Sequence, residues 1–201
     1  AAAASVYITK DLFGQEKSVI YGHNNMKYSM DTKWCKADPL KNPVNDCHEM
    51  VQDAKGRIIL LTNETKNNIM MFNASGKLLK TWGNSFPGGH GLTLADDTLF
   101  ITDTNKHQVY KATLDGKILL TLDAPKEDNL YPKPEQFVPT EVAVAANGDF
   151  YVADGYGAQY ILHYDSNGKL ISYFGGRGDG DEKLDNAHGI TIDNRNGTPS
   201  L

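Results

Sequence analysis

Cysteine is scarce in this sequence: Cys35 and Cys47 are the only two among 201 residues. Twelve positions apart, they match neither a zinc knuckle nor a CxxC redox pair. They form a candidate disulfide if the protein is exported, and are two buried thiols if it stays in a reducing cytosol. Export is the preferred reading, so the expected localisation is extracellular or periplasmic. Long apolar runs are missing too. None approaches the ~18 residues of a membrane-spanning helix, so no membrane span is expected. Positive charge is in deficit, with 20 Lys and Arg against 25 Asp and Glu and a net charge of −5, which argues against a nucleic-acid partner. Helical periodicity of any length is absent. No leader with a charged and then an apolar region precedes the body; the chain opens on Ala1 to Ala4 without Met, as a processed mature chain does. No nucleophile-elbow serine or Cys/His pair is readable. The Gly-rich acidic stretch 175–185, which holds Arg177-Gly178-Asp179, precedes no helix and reads as an inter-blade loop, not a phosphate cradle.

What is present is glycine, 19 residues of it, together with Val, Ile, Tyr and Thr in short runs bounded by Asn-Gly, Asp-Gly and Ser-Gly turns. These runs repeat. One copy leads from Cys47-His48-Glu49 through strand-like segments to Gly83, and a second from Gly89-His90-Gly91 to Leu122. A third leads from Pro139-Thr140-Glu141 to Gly175, and a fourth opens at Ala187-His188-Gly189-Ile190-Thr191-Ile192-Asp193. The first positions of the copies lie 42, 50 and 48 residues apart, which is the spacing of propeller blades. Four runs per copy predict a four-stranded antiparallel blade. Alternation such as Val142, Val144 and Phe150, Val152 sets one face of each strand against a neighbouring blade. The expected fold is therefore all-β, a β-propeller with about three and a half blades in this chain. Residues 1–45 are expected to be an N-terminal extension and possible closing strand. Blades follow at 46–86, 87–136, 137–186 and, in part, 187–201. Within the extension, Val6 to Thr9 and Lys17 to Tyr21 read as strands and 38–43 as loop, because Pro39 and Pro43 bar regular pairing. Three copies and a beginning do not close a ring, so missing blades are expected from the rest of the native chain or from another chain.

The segment Pro139 to Asp154, with Val142-Ala143-Val144, Gly148 and Tyr151-Val152-Ala153-Asp154, resembles an NHL repeat. That resemblance implies a propeller of six blades when complete. The chain also resembles one enzymatic branch of these propellers, the peptidyl-α-hydroxyglycine α-amidating lyases. The residues that carry this resemblance are His90-Gly91-Leu92 with downstream His107 to Lys111, then Asp154-Gly155-Tyr156, then His188-Gly189-Ile190. It implies that His90 and His188 bind zinc and that Tyr156 is the general base. The family places an arginine for the substrate carboxylate at the end of the second strand of its first blade, where this chain has Asn63. It has a small residue where this chain has His48. A third family histidine and a second arginine fall beyond Leu201.

Independently of the resemblance, His48, His90, Thr140 and His188 occupy the same position in successive copies, at the start of the innermost strand. A closed ring turns such positions toward the axis, and convergent imidazoles are what a transition metal requires. The candidate metal ligands are thus His90, His188 and His48, with zinc as the ion. Asn63, Thr140 and Glu141, the last near the rim, are candidate substrate contacts, and Tyr156 the candidate catalytic base. Asp103 and Asp154 close the second strands of their blades as turn caps, with calcium as a second candidate ion. Three Asn-x-Ser/Thr sequons, at Asn63, Asn73 and Asn196, have meaning only in a glycosylating host. The functional expectation is an exported propeller with a central His-bound metal, acting as a lyase of this type or as a hydrolase on a small polar or peptide substrate. The alternative is a non-catalytic propeller that binds a protein or ligand on its loop face.

Overall fold

The computed structural model describes residues 19–195 and 199–201. The strand expected over Val6 to Thr9 and the sequon at Asn196 lie outside them. The chain divides between residues 36 and 37 into two compact units. In the first, β1 (Ile20–His23) and β2 (Met26–Ser29) form an antiparallel hairpin, so the strand expected from Lys17 begins at Ile20.

The second unit holds three four-stranded antiparallel sheets. The first is β3 (Cys47–Gln52), β4 (Ile58–Thr62), β5 (Ile69–Phe72) and β6 (Leu78–Trp82). The second is β7 (Gly89–Ala95), β8 (Thr98–Asp103), β9 (Gln108–Thr113) and β10 (Ile118–Leu122). The third is β11 (Glu141–Val144), β12 (Phe150–Ala153), β13 (Tyr160–Tyr164) and β14 (Leu170–Gly175). Each sheet runs in sequence order from its inner to its outer strand, the connectivity of a propeller blade. In the fourth copy, residues 186–192 adopt no strand, and Asp193 pairs with Ser200 only as an isolated bridge. An inner strand becomes regular when a second strand takes up its N–H and C=O groups, and no such neighbour is present among the described residues.

The hairpins close on one recurring piece of chemistry. Asp53, Asn73 and Asp165 each turn their Oδ1 onto backbone N–H groups two and four residues ahead, at 2.9 to 3.1 Å. A glycine with positive φ follows three residues later, such as Gly76 (φ 79°) and Gly168 (φ 88°), a conformation that a Cβ would strain.

Blade packing follows from strand alternation. Ile59, Leu61, Ile69 and Met71 of the first blade meet Leu92, Leu99, Ile101 and Tyr110 of the second. Phe100 and Val109 of the second blade meet Val142, Phe150, Val152, Leu162 and Tyr164 of the third. Leu99 and Ile101 thus serve one core and Phe100 the other. That is why β8 is buried on both faces, as a strand between two packed layers must be. Between blades two and three the chain forms two short 3₁₀ turns, Glu127–Asn129 and Pro134–Gln136, beside which Tyr131 and Phe137 complete the second core. Among the described residues no helix is long and apolar enough to cross a membrane.

Candidate functional site

The inner strands bring His48, His90 and His188 together with Tyr156. The His90 ring centroid lies 3.9 Å from that of His48, 4.8 Å from His188 and 5.1 Å from Tyr156. Tyr156 and His188 are 5.5 Å apart. Four residues from separate copies of the repeat therefore meet at one end of the axis. The other histidines of this unit are engaged elsewhere: His107 bonds the Phe137 carbonyl and His163 stacks on Tyr151.

His90 is the anchor, and it is 5% exposed. Its Nδ1 donates to the Thr140 carbonyl at 2.9 Å, which fixes the tautomer and leaves Nε2 as the lone pair. The Tyr156 hydroxyl donates to that Nε2 at 3.2 Å. Burial, reinforced by the neighbouring His48 and His188 rings, lowers the His90 pKa, so the ring is neutral and able to donate. His48, His188 and Tyr156 are exposed, Tyr156 by 42%.

As a donor set these residues suit zinc chemically: a neutral imidazole whose other nitrogen is braced by a carbonyl is the usual condition of a ligating histidine. In orientation they stand differently. His48 lies over His90 with the ring planes at 30°, face to face, and among the described residues no three His, Cys, Asp or Glu side chains stand in metal-holding geometry. Ring rotation at the exposed His48 and His188 is needed before their nitrogens meet one ion.

Thr140 is fully buried and is not a rim contact. Its carbonyl accepts from His90 and, at 3.0 Å, from Thr102 Oγ1. Its hydroxyl lies 3.1 Å from the Ala153 carbonyl and 2.8 Å from the Ala187 carbonyl, one residue before His188. It thereby holds the backbones that carry two imidazoles. Two glycines permit this closeness: a Cβ at Gly91 would overlap the Thr140 carbonyl, and one at Gly155 the Ala187 carbonyl.

Glu141 crosses the inner strand of the second blade beside Gly91. Its Oε1 accepts from Thr93 Oγ1 at 2.9 Å and from the Val142 N–H at 2.8 Å. Burial first, and then a hydrogen bond with the Glu49 carboxyl, push its pKa up to about 8. Glu49 and Glu141 line, with His90, Leu92 and His188, a cavity of about 920 Å³. Asn63 lies off this cavity. Its Nδ2 donates to Asp46 Oδ2 at 2.9 Å and its buried Oδ1 has no partner. It stands one residue beyond Thr62, which takes in this blade the turn-capping place of Asp103 and Asp154: Thr62 Oγ1 accepts from the Asn45 and Glu64 N–H groups at 3.1 and 3.2 Å. Asp103 takes the N–H groups of Gly88, Asn105 and Lys106, and Asp154 those of Val138 and Ala158 together with the Tyr131 hydroxyl. The Cys47 thiol is exposed and donates to the Asn45 carbonyl at 3.3 Å, and Cys35 is an exposed thiol of the first unit.

Sequence reasoning missed two features here, the role of the Thr140 carbonyl and the Glu49–Glu141 contact. The first acts through its backbone and leaves no residue-type signal. The second needs the register between blades, although two acids next to equivalent channel positions were its visible trace.

No family model matches the chain. Among curated proteins it is 44% identical over 110 residues to peptidyl-alpha-hydroxyglycine alpha-amidating lyase 1 of Drosophila melanogaster, covering 51% of this chain and 19% of that protein. It is 38% identical over 88 residues to the probable lyase pgal-1 of Caenorhabditis elegans, covering 41% and 24%. The matched stretch thus spans about a quarter or less of these relatives' length. Among solved structures, streptogramin B lyase aligns with a TM-score of 0.56 at 15% identity over 75% of this chain and 45% of that one. Virginiamycin B lyase from Staphylococcus aureus aligns with 0.53 at 15% identity over 88% and 52%. These likenesses establish the architecture. The chain is a β-propeller segment similar, over about half of its own length, to the peptidyl-α-hydroxyglycine α-amidating lyases.

Proposed function

We propose that this chain carries the centre of a lyase that cleaves the N–C bond at a hydroxylated α-carbon, releasing an amide and an aldehyde. The observation that supports this best is the hydrogen bond from Tyr156 to a buried, neutral His90 beside His188, at positions equivalent within the repeat. His90 and His188, with His48 as third imidazole, would hold a divalent metal, zinc by donor type. When bound, that metal supplies Lewis-acid polarisation of the substrate hydroxyl and eases ionisation of a nearby phenol.

The rest falls to the chain's own residues. Nε2 is the one lone pair His90 offers, so a metal held there would leave Tyr156 Oη without its present acceptor and available to the substrate. Tyr156 Oη, as the phenolate once its own proton has gone to solvent, then takes the substrate hydroxyl proton. The C–O bond becomes a carbonyl as the C–N pair moves onto nitrogen, and nitrogen receives a proton. The Thr140 carbonyl keeps His90 in the Nδ1–H tautomer throughout.

A non-catalytic scaffold is the second reading, and the face-on contact of His48 with His90 favours it. Elemental analysis of the purified full chain after mild chelation separates the two. About one zinc, lost in His90→Ala and in His188→Ala, is expected for the lyase. A wild-type protein without metal overturns it and leaves the imidazoles as packing.

A further inference from the structure

Tyr156 stands between Gly155 and Gly157, on the loop that joins β12 to β13. Glycines on both sides leave the backbone free to swing the phenol, so its place over His90 has to be held from elsewhere. The side chain that reaches across the loop is Gln159, which is 1% exposed. Its Nε2 donates to the Gly155 carbonyl at 2.6 Å and to the Gly157 carbonyl at 3.4 Å, one on either side of Tyr156. Its Oε1 accepts from the Ala187 N–H at 3.2 Å, one residue before His188. Two carbonyls at one end and an N–H at the other admit a single orientation of the amide.

The other blades show what is particular here. The residue just before the third strand is Asn68 in the first blade and His107 in the second, and each ties down the chain on its way to the next inner strand. Asn68 Oδ1 accepts from the Phe86 N–H at 3.0 Å, and His107 Nδ1 bonds the Phe137 carbonyl at 2.8 Å. Gln159 makes the same latch onto the fourth copy and, from its other end, grips the loop that carries the phenol. It does so at a φ of 70°, in the left-handed region where a glycine would rest without strain.

We propose that Gln159 is a positioning residue of this centre: one buried amide fixes the Tyr156 loop against the backbone of His188 and so sets the phenol on His90 Nε2. The proposal rests on the lyase reading above.

Gln159→Gly suits the backbone and removes the amide. Gln159→Glu, the second variant should the first fail to fold, keeps an oxygen for the Ala187 N–H and turns another against the two carbonyls. Long-range 15N–1H spectra of the metal-free full chain read the His90 Nε2 shift, and Tyr156→Phe marks its position without the phenol bond. The Gln159 variant is expected to move the resonance toward that position. In zinc-loaded protein cleaving N-acetyl-α-hydroxyglycine, it is expected to lower kcat about tenfold or more with KM within about twofold of wild type. A glutamine that only supports the fold lowers the melting temperature and moves neither quantity. A folded variant with the wild-type Nε2 shift or the wild-type kcat therefore overturns the positioning role and leaves the lyase reading standing. A wild type that holds no zinc, or holds it and releases no aldehyde, overturns the lyase reading and the proposal with it.

Discussion

Gly155 and Thr140 show how little room the centre leaves at the level of single atoms. A Cβ at Gly155 would overlap the Ala187 carbonyl and come within 2.8 Å of Thr140 Oγ1. Gly155→Ala is therefore expected to displace the Ala187 backbone and to destabilise the fold by about 1–3 kcal/mol, read as a lowered urea midpoint. Thr140→Val keeps the shape and removes the hydroxyl that reaches the Ala153 and Ala187 carbonyls. A loss of about 1–3 kcal/mol is expected, with Thr140→Ser recovering most of it; equal losses in the two variants would show that the methyl, not the hydroxyl, matters. At this scale the sequence was partly legible. Repeat phase singled out His48, His90 and His188, because equivalent positions in a closed array must converge. The same argument turned the Thr140 side chain toward the axis, whereas it is fully buried, since phase predicts where a residue stands but not whether its neighbours cover it. Asn63 was placed by counting along the sequence, whereas strand pairing sets Thr62, one residue earlier, in the turn-cap place of Asp103 and Asp154.

Individual strands and turns were the most legible level. Each of the three blades has the four strands that four runs per copy predict, and several of the hairpins close on a glycine with positive φ, as at Gly56, Gly76, Gly116, Gly148 and Gly168. The opening run of the fourth copy failed to become a strand despite the same pattern, since alternation supplies a face but not a hydrogen-bonding partner. One element carries a pH signature. The turn after β12 is built on Asp154, whose pKa burial pushes up to about 6 even though backbone N–H groups and the Tyr131 hydroxyl oppose the rise. The folded protein thus keeps this proton to about pH 6, whereas an unfolded chain releases it near the ordinary aspartate value. Between about pH 4 and 6 the native state binds the extra proton, so stability falls as pH rises through that window and levels off above it. The contribution is about 3 kcal/mol at most, and urea midpoints of wild type and Asp154→Asn across this range should converge at the acid end. Parallel curves would mean that the hydrogen bonds hold Asp154 ionised throughout.

For the molecule as a whole, stability is shared between two inter-blade cores that meet in the second blade. Phe100→Ala empties part of one and Leu99→Ala part of the other, each at about 3–5 kcal/mol by cavity formation. Because both residues lie on β8, either change is expected to lower a single unfolding transition, monitored in parallel by tryptophan fluorescence and far-ultraviolet circular dichroism. Two separated transitions would mean that the blades melt independently. The alternation along β8 also bears on how the array assembles. A slip of one residue would send Phe100 toward the core built for Leu99 and Ile101, and those two toward the core built for Phe100, so a misaligned strand is rejected from both sides. The middle blade thereby proofreads the stacking of its neighbours.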